Sequence, residues 1–162
     1  MRTIGQLWRD AVSAGRTTPA YLAETGEGWR EVSWEEAGQT VEELANGLLA
    51  LGVQKGEAFG ILAQTSLEWA LFDYALARIG AVGAAVYANS SPKDACYVLE
   101  HSDSIGVLVQ DEGQREKVAG LPLRHVITFS ELDDLRARGR EFAAERPDAL
   151  AEAEAQVGED DL

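Results

Sequence analysis

Basic residues are scarce in this chain, and their scarcity excludes one class of function. Only 14 Lys and Arg residues stand against 28 Asp and Glu residues, so the 162 residues carry a formal charge of −14. A charge of this sign repels the phosphate backbone of DNA or RNA unless a local basic patch opposes it, and the sequence contains no such patch. We therefore exclude nucleic acid as a partner.

Cysteine and long apolar runs are also lacking. The single cysteine, Cys96, cannot form a disulfide within the chain. The first residues, Met1 to Gly5, have no apolar run typical of a secretory signal, and no stretch approaches the ~20 apolar residues of a membrane span. The sequence therefore predicts a protein of the reducing cytoplasm without an integral membrane segment.

Metal ligands and phosphate-binding loops are missing as well. His101 and His125 lie far apart, with no acid or cysteine at ligand spacing beside either, so no metal site is predicted. Neither G-x-G-x-x-G nor G-x-x-x-x-G-K-[ST] occurs. The segment Gly52–Gly56 contains Lys55, but it follows a predicted helix and precedes a predicted strand, the reverse of the order in a phosphate loop. It is interpreted as a turn in which Gly52 ends the helix.

The remaining reactive or aromatic side chains have plain structural interpretations. Cys96 has no evident base beside it, so a buried or half-buried thiol is favoured over a nucleophile. Ser91 precedes a proline suited to the first helical position and is interpreted as a helix cap rather than a catalytic serine. Three aromatic residues of one almost wholly apolar helix are assigned to the core rather than to a ligand site: Trp69, Phe72 and Tyr74. The sequence thus provides no catalytic, cofactor-binding or metal-binding residue.

Five helix starts are marked by a short oxygen-bearing side chain followed three residues later by an acid or amide, the pattern of a capping box. The marks are Thr3-x-x-Gln6, Ser33-x-x-Glu36, Thr65-x-x-Glu68, Ser91-x-x-Asp94 and Ser130-x-x-Asp133. The second helix has one apolar stripe. The third, from Ser66 to about Ile79, is apolar on most of its circumference, which predicts a central, largely buried element.

Four short apolar runs alternate with these helices and are typical of strands buried on both faces. They are Ala58–Ala63, Val82–Tyr87, Ile105–Gln110 and Val126–Phe129. Before them, Ala20–Thr25 and Trp29–Val32 flank two glycines and predict a hairpin. The predicted fold is therefore α/β: a parallel βαβ sheet flanked by helices and preceded by an N-terminal helix and a β-hairpin.

The helical and strand patterns weaken after Phe129. From Glu131 to the end, eleven acids oppose four arginines, a net charge of −7. We divide the chain into an α/β subdomain at residues 1–130 and an acidic, helical or partly mobile tail at residues 131–162, interrupted at Pro147. The acids of this tail are interpreted as solvated surface, because unperturbed carboxylates are poor general acids at neutral pH.

The order of several short segments resembles the start of the AMP-forming (adenylate-forming) acyl-CoA synthetases over some 110 residues. The segments are Thr3-Ile4-x-x-Leu7-Trp8, Val32-Ser33-Trp34-Glu35-Glu36, Leu48 to Glu57, and Gly60-Ile61-Leu62. Glu68-Trp69-Ala70, Gly80-Ala81-Val82 and especially Tyr87 to Pro92 resemble the long-chain fatty-acid–CoA ligase branch. Each motif is weak alone, and their order and spacing make the resemblance specific.

The resemblance implies a parent enzyme that makes an acyl-adenylate from ATP and a fatty acid, with Mg²⁺, and then transfers the acyl group to CoA with release of AMP. In that family a Ser/Thr/Gly-rich phosphate loop would follow a segment like Glu159–Leu162, and the motifs for adenine, magnesium and the catalytic lysine come later. We therefore expect this chain to be an N-terminal structural part, inactive alone. Its implied partners are the remainder of the ligase and, as in bacterial relatives, a second copy.

Two alternatives stay open. The first is a free-standing α/β module that binds a small ligand at the carboxyl ends of the strands. It would use Gln64-Thr65-Ser66 and Asn89-Ser90-Ser91, which we otherwise interpret as helix caps. The second is a non-enzymatic interaction domain that captures a partner through the acidic tail, with an affinity that falls as salt rises.

Overall fold

The computed structural model describes residues 2–159 and 161. Its elements are, in chain order, α1 (Ile4–Ser13), β1 (Tyr21–Thr25), β2 (Gly28–Val32), α2 (Trp34–Ala50), β3 (Ala58–Ala63), α3 (Leu67–Arg78), β4 (Val82–Tyr87), α4 (Pro92–His101), β5 (Ser104–Val109), α5 (Glu112–Lys117), β6 (His125–Thr128), a 3-10 helix (Phe129–Glu131), α6 (Leu132–Glu145) and α7 (Ala149–Ala155).

The four strands β3 to β6 form one parallel sheet in the order β4-β3-β5-β6, and β1 pairs with β2 in a separate antiparallel hairpin. Gly60 of β3 lies opposite Ala84 of β4 on one side and Val107 of β5 on the other. The predicted α/β fold is confirmed. The predicted strands agree with the observed ones within one residue at each end, because continuous apolar runs bounded by caps and glycines mark buried strands clearly.

Helices cover both faces of the sheet and enclose two hydrophobic clusters. The larger cluster joins α1, α2, α3, α6 and α7 to one face, with Phe59, Ile61 and Leu108 at its base. The smaller cluster places Leu99 of α4 against the other face, together with Val107. Strand residues alternate between the two clusters because successive side chains of a strand point to opposite faces.

Helices α2 and α6 approach each other closely at two glycines. A Cβ atom on Gly139 would lie 1.9 Å from the carbonyl oxygen of Glu43, and one on Gly47 would lie 2.5 Å from the carbonyl oxygen of Leu135. Only glycine, which has no Cβ, fits at these points. This contact brings α6 into the same core cluster as α2, where Leu132 and Leu135 are buried.

Three of the predicted caps begin helices as expected, and two predicted helix starts are corrected. Thr3, Ser33 and Ser91 are the N-caps of α1, α2 and α4. Helix α3 is capped by Ser66 rather than Thr65, since the Ser66 side chain accepts a hydrogen bond from the backbone N–H of Trp69.

The fifth predicted cap, Ser130, is also wrong, because it lies inside the 3-10 helix that precedes α6. Thr128 and Glu131 form the capping box of that 3-10 helix instead. The box therefore sits two residues earlier than the sequence pattern indicated.

Two helices have no counterpart among the five predicted ones. Helix α5 is short and charged, and its only start signal is Asp111, whose side chain accepts from the backbone N–H of Gln114. Helix α7 begins after the predicted break at Pro147, and its residue Leu150 is buried in the larger cluster. Of the acidic end, Asp160 and Leu162 lie outside the described residues. Within the described residues, every helix is too short or too polar to cross a membrane.

Candidate functional site

The carboxyl edge of the parallel sheet is where open α/β folds usually bind ligands. Four loops meet there, one after each strand, at residues 64–66, 88–91, 110–111 and 129–131. Two of these loops carry the polar groups that the sequence marked for a small-ligand site. The hydrogen bonds that these loops make decide how much of their polar chemistry is available to a ligand.

The two predicted polar groups serve as helix caps and loop contacts. Ser66 caps α3, and Ser91 accepts from the backbone N–H of Asp94 at 3.2 Å while donating to its Oδ2 at 2.7 Å. The backbone N–H of Gln64 donates to Oε1 of Gln110 at 2.9 Å. In the part of the chain that the structure describes, no hydrogen bond joins the Gln64–Ser66 group to the Asn89–Ser91 group. The cap interpretation accounts for both serines.

Helix α5 holds the loop that follows β4. The Gln114 Nε2 atom donates to the carbonyl oxygen of Ala88 at 2.9 Å, and Lys117 Nζ donates to the carbonyl oxygens of Ala88 and Ser90, each at 2.9 Å. Cys96 Sγ donates to the carbonyl oxygen of Lys117 at 3.3 Å. We call Gln114 and Lys117 the α5 clamp. Sequence analysis missed it, and the one available signal was Asp111 three residues before Gln114.

The loop after β6 is organised by one carboxylate. Glu131 accepts from the backbone N–H of Thr128 at 2.7 Å, from the Thr128 hydroxyl at 3.0 Å, and from the guanidinium of Arg115. The backbone hydrogen bond from Thr128, aided by the hydroxyl and the Arg115 charge, outweighs partial burial and lowers the pKa of Glu131. Arg115 lies at the carboxyl edge of the sheet, where it could attract an anion. Its pairing with Glu131 neutralises this charge.

The Gly52–Gly56 segment is a turn, as predicted. Gly52 and Gly56 both have a φ of 81°, a left-handed conformation that glycine adopts at little cost. Lys55 Nζ donates to the carbonyl oxygen of Gln156 at 2.7 Å and pairs with Asp161 at 2.7 Å. The lysine therefore acts at the amino edge of the sheet, on the side opposite to the loops that follow the strands.

The two histidines are not brought together. His101 stacks on Tyr97 with ring centroids 5.5 Å apart. Burial, with a contribution from the Arg124 charge, lowers the pKa of His125 at the start of β6. Among the described residues, no group of three His, Cys, Asp or Glu side chains is arranged to bind a metal ion.

The aromatic residues of α3 belong to the core. Phe72 is fully buried and lies 5.5 Å from Phe59 between ring centroids, while Tyr74 stacks on Trp8 at 4.2 Å. Trp69 is partly buried against the same cluster. These contacts favour packing over a ligand-binding role for the three rings.

The helical layer contains a cavity of about 620 Å³ between α1, α2 and α6. Glu43 lies at its wall and accepts from Gln39 at 3.0 Å, from Arg136 at 2.8 Å and from Arg140 at 3.0 Å. Burial raises the pKa of Glu43, but these hydrogen bonds and the two arginine charges outweigh it and lower the pKa overall. Three glutamates and three arginines line the cavity, so its charged groups sum to zero.

Comparison with known proteins relates this architecture to one family. The sequence pattern of the AMP-binding enzyme family matches residues 8–162. The long-chain-fatty-acid–CoA ligase FadD15 of Mycobacterium bovis is 33% identical over 93 residues, covering 57% of this chain and 16% of that protein. The long-chain-fatty-acid–CoA ligase heimdall of Drosophila melanogaster is 30% identical over 127 residues, covering 76% of this chain and 19% of that protein.

A solved structure supports the same fold. The N-terminal domain of FACL13 from Mycobacterium tuberculosis superposes with a TM-score of 0.77 at 20% identity, covering 99% of this chain and 40% of that one. This chain thus spans less than a fifth of the two ligases named above. The resemblance to the adenylate-forming acyl-CoA synthetases is confirmed, and the chain belongs to the AMP-binding enzyme family.

Proposed function

We propose that this chain is the N-terminal structural part of a long-chain fatty-acid–CoA ligase. The complete enzyme would convert ATP, a fatty acid and CoA into acyl-CoA, AMP and diphosphate. The family match and the two curated ligases support this activity class. The assignment to the long-chain branch rests on those relatives and on the Tyr87–Pro92 segment, which forms the end of β4 and the start of α4. We include a cytoplasmic location in the proposal, with Cys96 as a free thiol.

The observation that carries the proposal is the internal pairing of the carboxyl-edge loops. Ser66 and Ser91 cap helices, Lys117 is bound to two carbonyl oxygens, and Arg115 is bound to Glu131. A nucleotide phosphate needs free N–H groups or cations that converge on it. The described residues at this edge do not fit ATP-Mg²⁺, because their cations are already engaged. Residues outside this chain would hold ATP, Mg²⁺ and CoA.

The role of the chain in that enzyme is to form part of the scaffold. It contributes a sheet covered on both faces, with loops locked in position by the α5 clamp and by Glu131. A rigid edge of this kind can support an acyl-adenylate pocket completed by other segments, because sites need supporting shells that do not move. We expect no catalysis from the 162 residues alone.

Calorimetry and an AMP-release assay test this proposal. The isolated chain, titrated with ATP-Mg²⁺ and then with CoA, is expected to give no binding heat, and incubation with a long-chain fatty acid is expected to release no AMP. A full-length polypeptide, identified by reading the gene beyond Leu162, serves as the positive control. Micromolar ATP binding or AMP release by the 162-residue chain would show that the proposal is wrong.

Neither alternative function is favoured by a specific observation. A small-ligand module would need the Gln64 and Asn89 groups to converge on a ligand, whereas their serines cap helices. A tail that captures partners would use its acids for them, whereas Glu154 and Asp161 are paired with cations of this chain and only other acids, such as Glu141 and Glu152, lie exposed.

A further inference from the structure

Two buried polar side chains in the wall of the cavity between α1, α2 and α6 have unused hydrogen-bonding groups. The Arg78 side chain of α3 is 9% exposed and Asn46 of α2 is 4% exposed. Arg78 donates through Nε to Glu154, and Asn46 donates through Nδ2 to the carbonyl oxygen of Glu42 at 3.0 Å. Within residues 2–159 and 161, the Nη atoms of Arg78 and the Oδ1 atom of Asn46 make no hydrogen bond, and they are not sealed from solvent. Buried polar groups are nearly always paired, so these atoms point to a partner in the cavity.

The Arg78 end of the cavity carries an excess of positive charge. Arg9 of α1 also lines the cavity, and its Nη1 atom binds the second oxygen of the Glu154 carboxylate at 2.9 Å. Two guanidinium groups therefore share one carboxylate. Guanidinium groups bind carboxylates through pairs of N–H donors, and the unused Nη atoms of Arg78 provide such a pair. This end of the cavity therefore fits a small carboxylate.

The α2 wall of the cavity carries negative charge. Glu35 and Glu42 are exposed there, and in the part of the chain that the structure describes neither carboxylate forms an ion pair or a hydrogen bond. Asn46 lies one helical turn after Glu42, so its Oδ1 acceptor shares a face of α2 with that carboxylate. An ammonium group has three donors and no acceptor, which suits this pair of neighbours.

Apolar side chains form another part of the wall. Trp8 is 4% exposed and is fixed by its stacking on Tyr74, with ring centroids 4.2 Å apart, and Val12 and Ala143 line the cavity with it. The volume of about 620 Å³ is in the range of small-molecule sites, which combine apolar walls with a few polar groups. This wall suits an aliphatic side chain.

We propose that this cavity binds a free α-amino acid with an aliphatic side chain. Its carboxylate binds the Nη atoms of Arg78, its ammonium group binds Oδ1 of Asn46 and the carboxylate of Glu42, and its side chain lies against Trp8. Such a ligand has no net charge, which matches the equal numbers of glutamates and arginines around the cavity. The site is independent of the proposed ligase function, because it lies in the helical layer and not among the loops that follow the strands.

L-Leucine is the probe for this site, and two analogues that each lack one charged group are its matched controls. Isocaproate lacks the ammonium group of leucine, and isoamylamine lacks the carboxylate. In NMR titrations of the isotope-labelled chain, leucine is expected to shift the Trp8 indole and Asn46 side-chain amide signals with a Kd on the order of 1 mM. Each analogue should bind at least about tenfold more weakly, because hydrogen bonds to a charged group are lost.

Two variants connect the binding to the cavity. Arg78→Lys keeps a positive charge beside Glu154 but loses the paired Nη donors, so leucine should bind at least about tenfold more weakly. Ala143→Leu fills the cavity from a partly buried position of α6 and should abolish binding. Ala144→Leu, at the exposed neighbouring position outside the cavity, should bind leucine as the parent chain does. Circular dichroism verifies that each variant is folded.

Three results would overturn the proposal. The first is the absence of a saturable shift with leucine. The second is equal affinity for isocaproate, which would make the cavity a plain carboxylate site. The third is unchanged leucine binding by folded Ala143→Leu, or shifts confined to residues 64–66 and 88–91, which would place the ligand elsewhere. These titrations measure neither ATP binding nor AMP release, so this failure is distinct from failure of the proposed function.

Discussion

Arg78 of α3 and Glu154 of α7 form an ion pair in which the side chains are only 9% and 10% exposed. Arg9 of α1 binds the other oxygen of the same carboxylate at 2.9 Å. The prediction that the acids of the tail are solvated is therefore wrong for Glu154, which is largely buried and joins α1, α3 and α7. The pair ties α7, and with it the segment that reaches the amino end of β4, to the helical layer.

We expect Glu154→Gln to destabilise the fold by about 3–5 kcal/mol, because the buried Arg78 charge would lose its partner. Urea denaturation followed by circular dichroism measures the change. Glu152→Gln, an exposed position on the same helix, is the matched control and should change stability by less than about 0.5 kcal/mol. Equal effects of the two substitutions would contradict a structural role for the pair.

Stability should fall in acid partly through Glu43. Its folded-state pKa is lowered, so its contribution is fully present above the ordinary glutamate pKa of about 4.3 and is lost as pH falls through the lower folded value. Glu43→Gln should therefore reduce the loss of stability between about pH 5 and pH 3. Urea titrations at several pH values measure this slope. Glu42→Gln, at the exposed neighbouring position, should leave the slope closer to that of the parent protein.

Gly139→Ala should destabilise the protein although alanine favours helices. The helix propensity gain is about 1 kcal/mol, but the new Cβ would lie 1.9 Å from the Glu43 carbonyl oxygen. Backbone atoms cannot move aside as a flexible side chain can, so we expect a net loss of about 1–3 kcal/mol. Thermal unfolding measures it. Gly120→Ala, where no atom lies within 4 Å of the new Cβ, should be close to neutral, and a similar loss there would contradict the packing argument.

Removing the α5 clamp should loosen the loop after β4. Lys117→Met retains much of the side-chain length but loses the hydrogen bonds to Ala88 and Ser90, at an expected cost of about 1–3 kcal/mol. Amide exchange in residues 88–91 should accelerate more than exchange in β5. Lys93→Met, at an exposed position of α4, controls for loss of a positive charge and should not accelerate that loop.

Phe72 and Trp69 should differ in their cost of truncation. Phe72→Ala empties a fully buried site against Phe59 and should cost about 3–5 kcal/mol. Trp69 is only partly buried, so Trp69→Ala should cost less. Equilibrium unfolding of the two variants gives both values. A larger loss for Trp69→Ala would contradict the conclusion that Phe72, rather than Trp69, is the main core residue of α3.

The parallel strands, the hairpin and three helix caps could be predicted from the sequence because their signals are local. A buried strand is a short apolar run, and a cap such as Ser91 needs only its neighbours up to Asp94. Helix α5 could not be predicted with the same certainty. It is six residues long, and the contacts from Gln114 and Lys117 to the loop after β4 join residues 26 to 29 positions apart.

The acidic charge, the absence of a phosphate loop and the order of family motifs were determined by the sequence itself, since they are properties of composition and spacing. Tertiary structure alone decided which acids are solvated and which are buried. In the sequence, Glu43 and Glu154 cannot be told from other helix acids. Packing of α6 on α2 brings Arg136 and Arg140 to Glu43, and packing of α7 on α3 brings Glu154 to Arg78. Tertiary packing also places residue 161 near the amino end of β4, where Lys55 pairs with it although the two residues lie about a hundred positions apart in the chain.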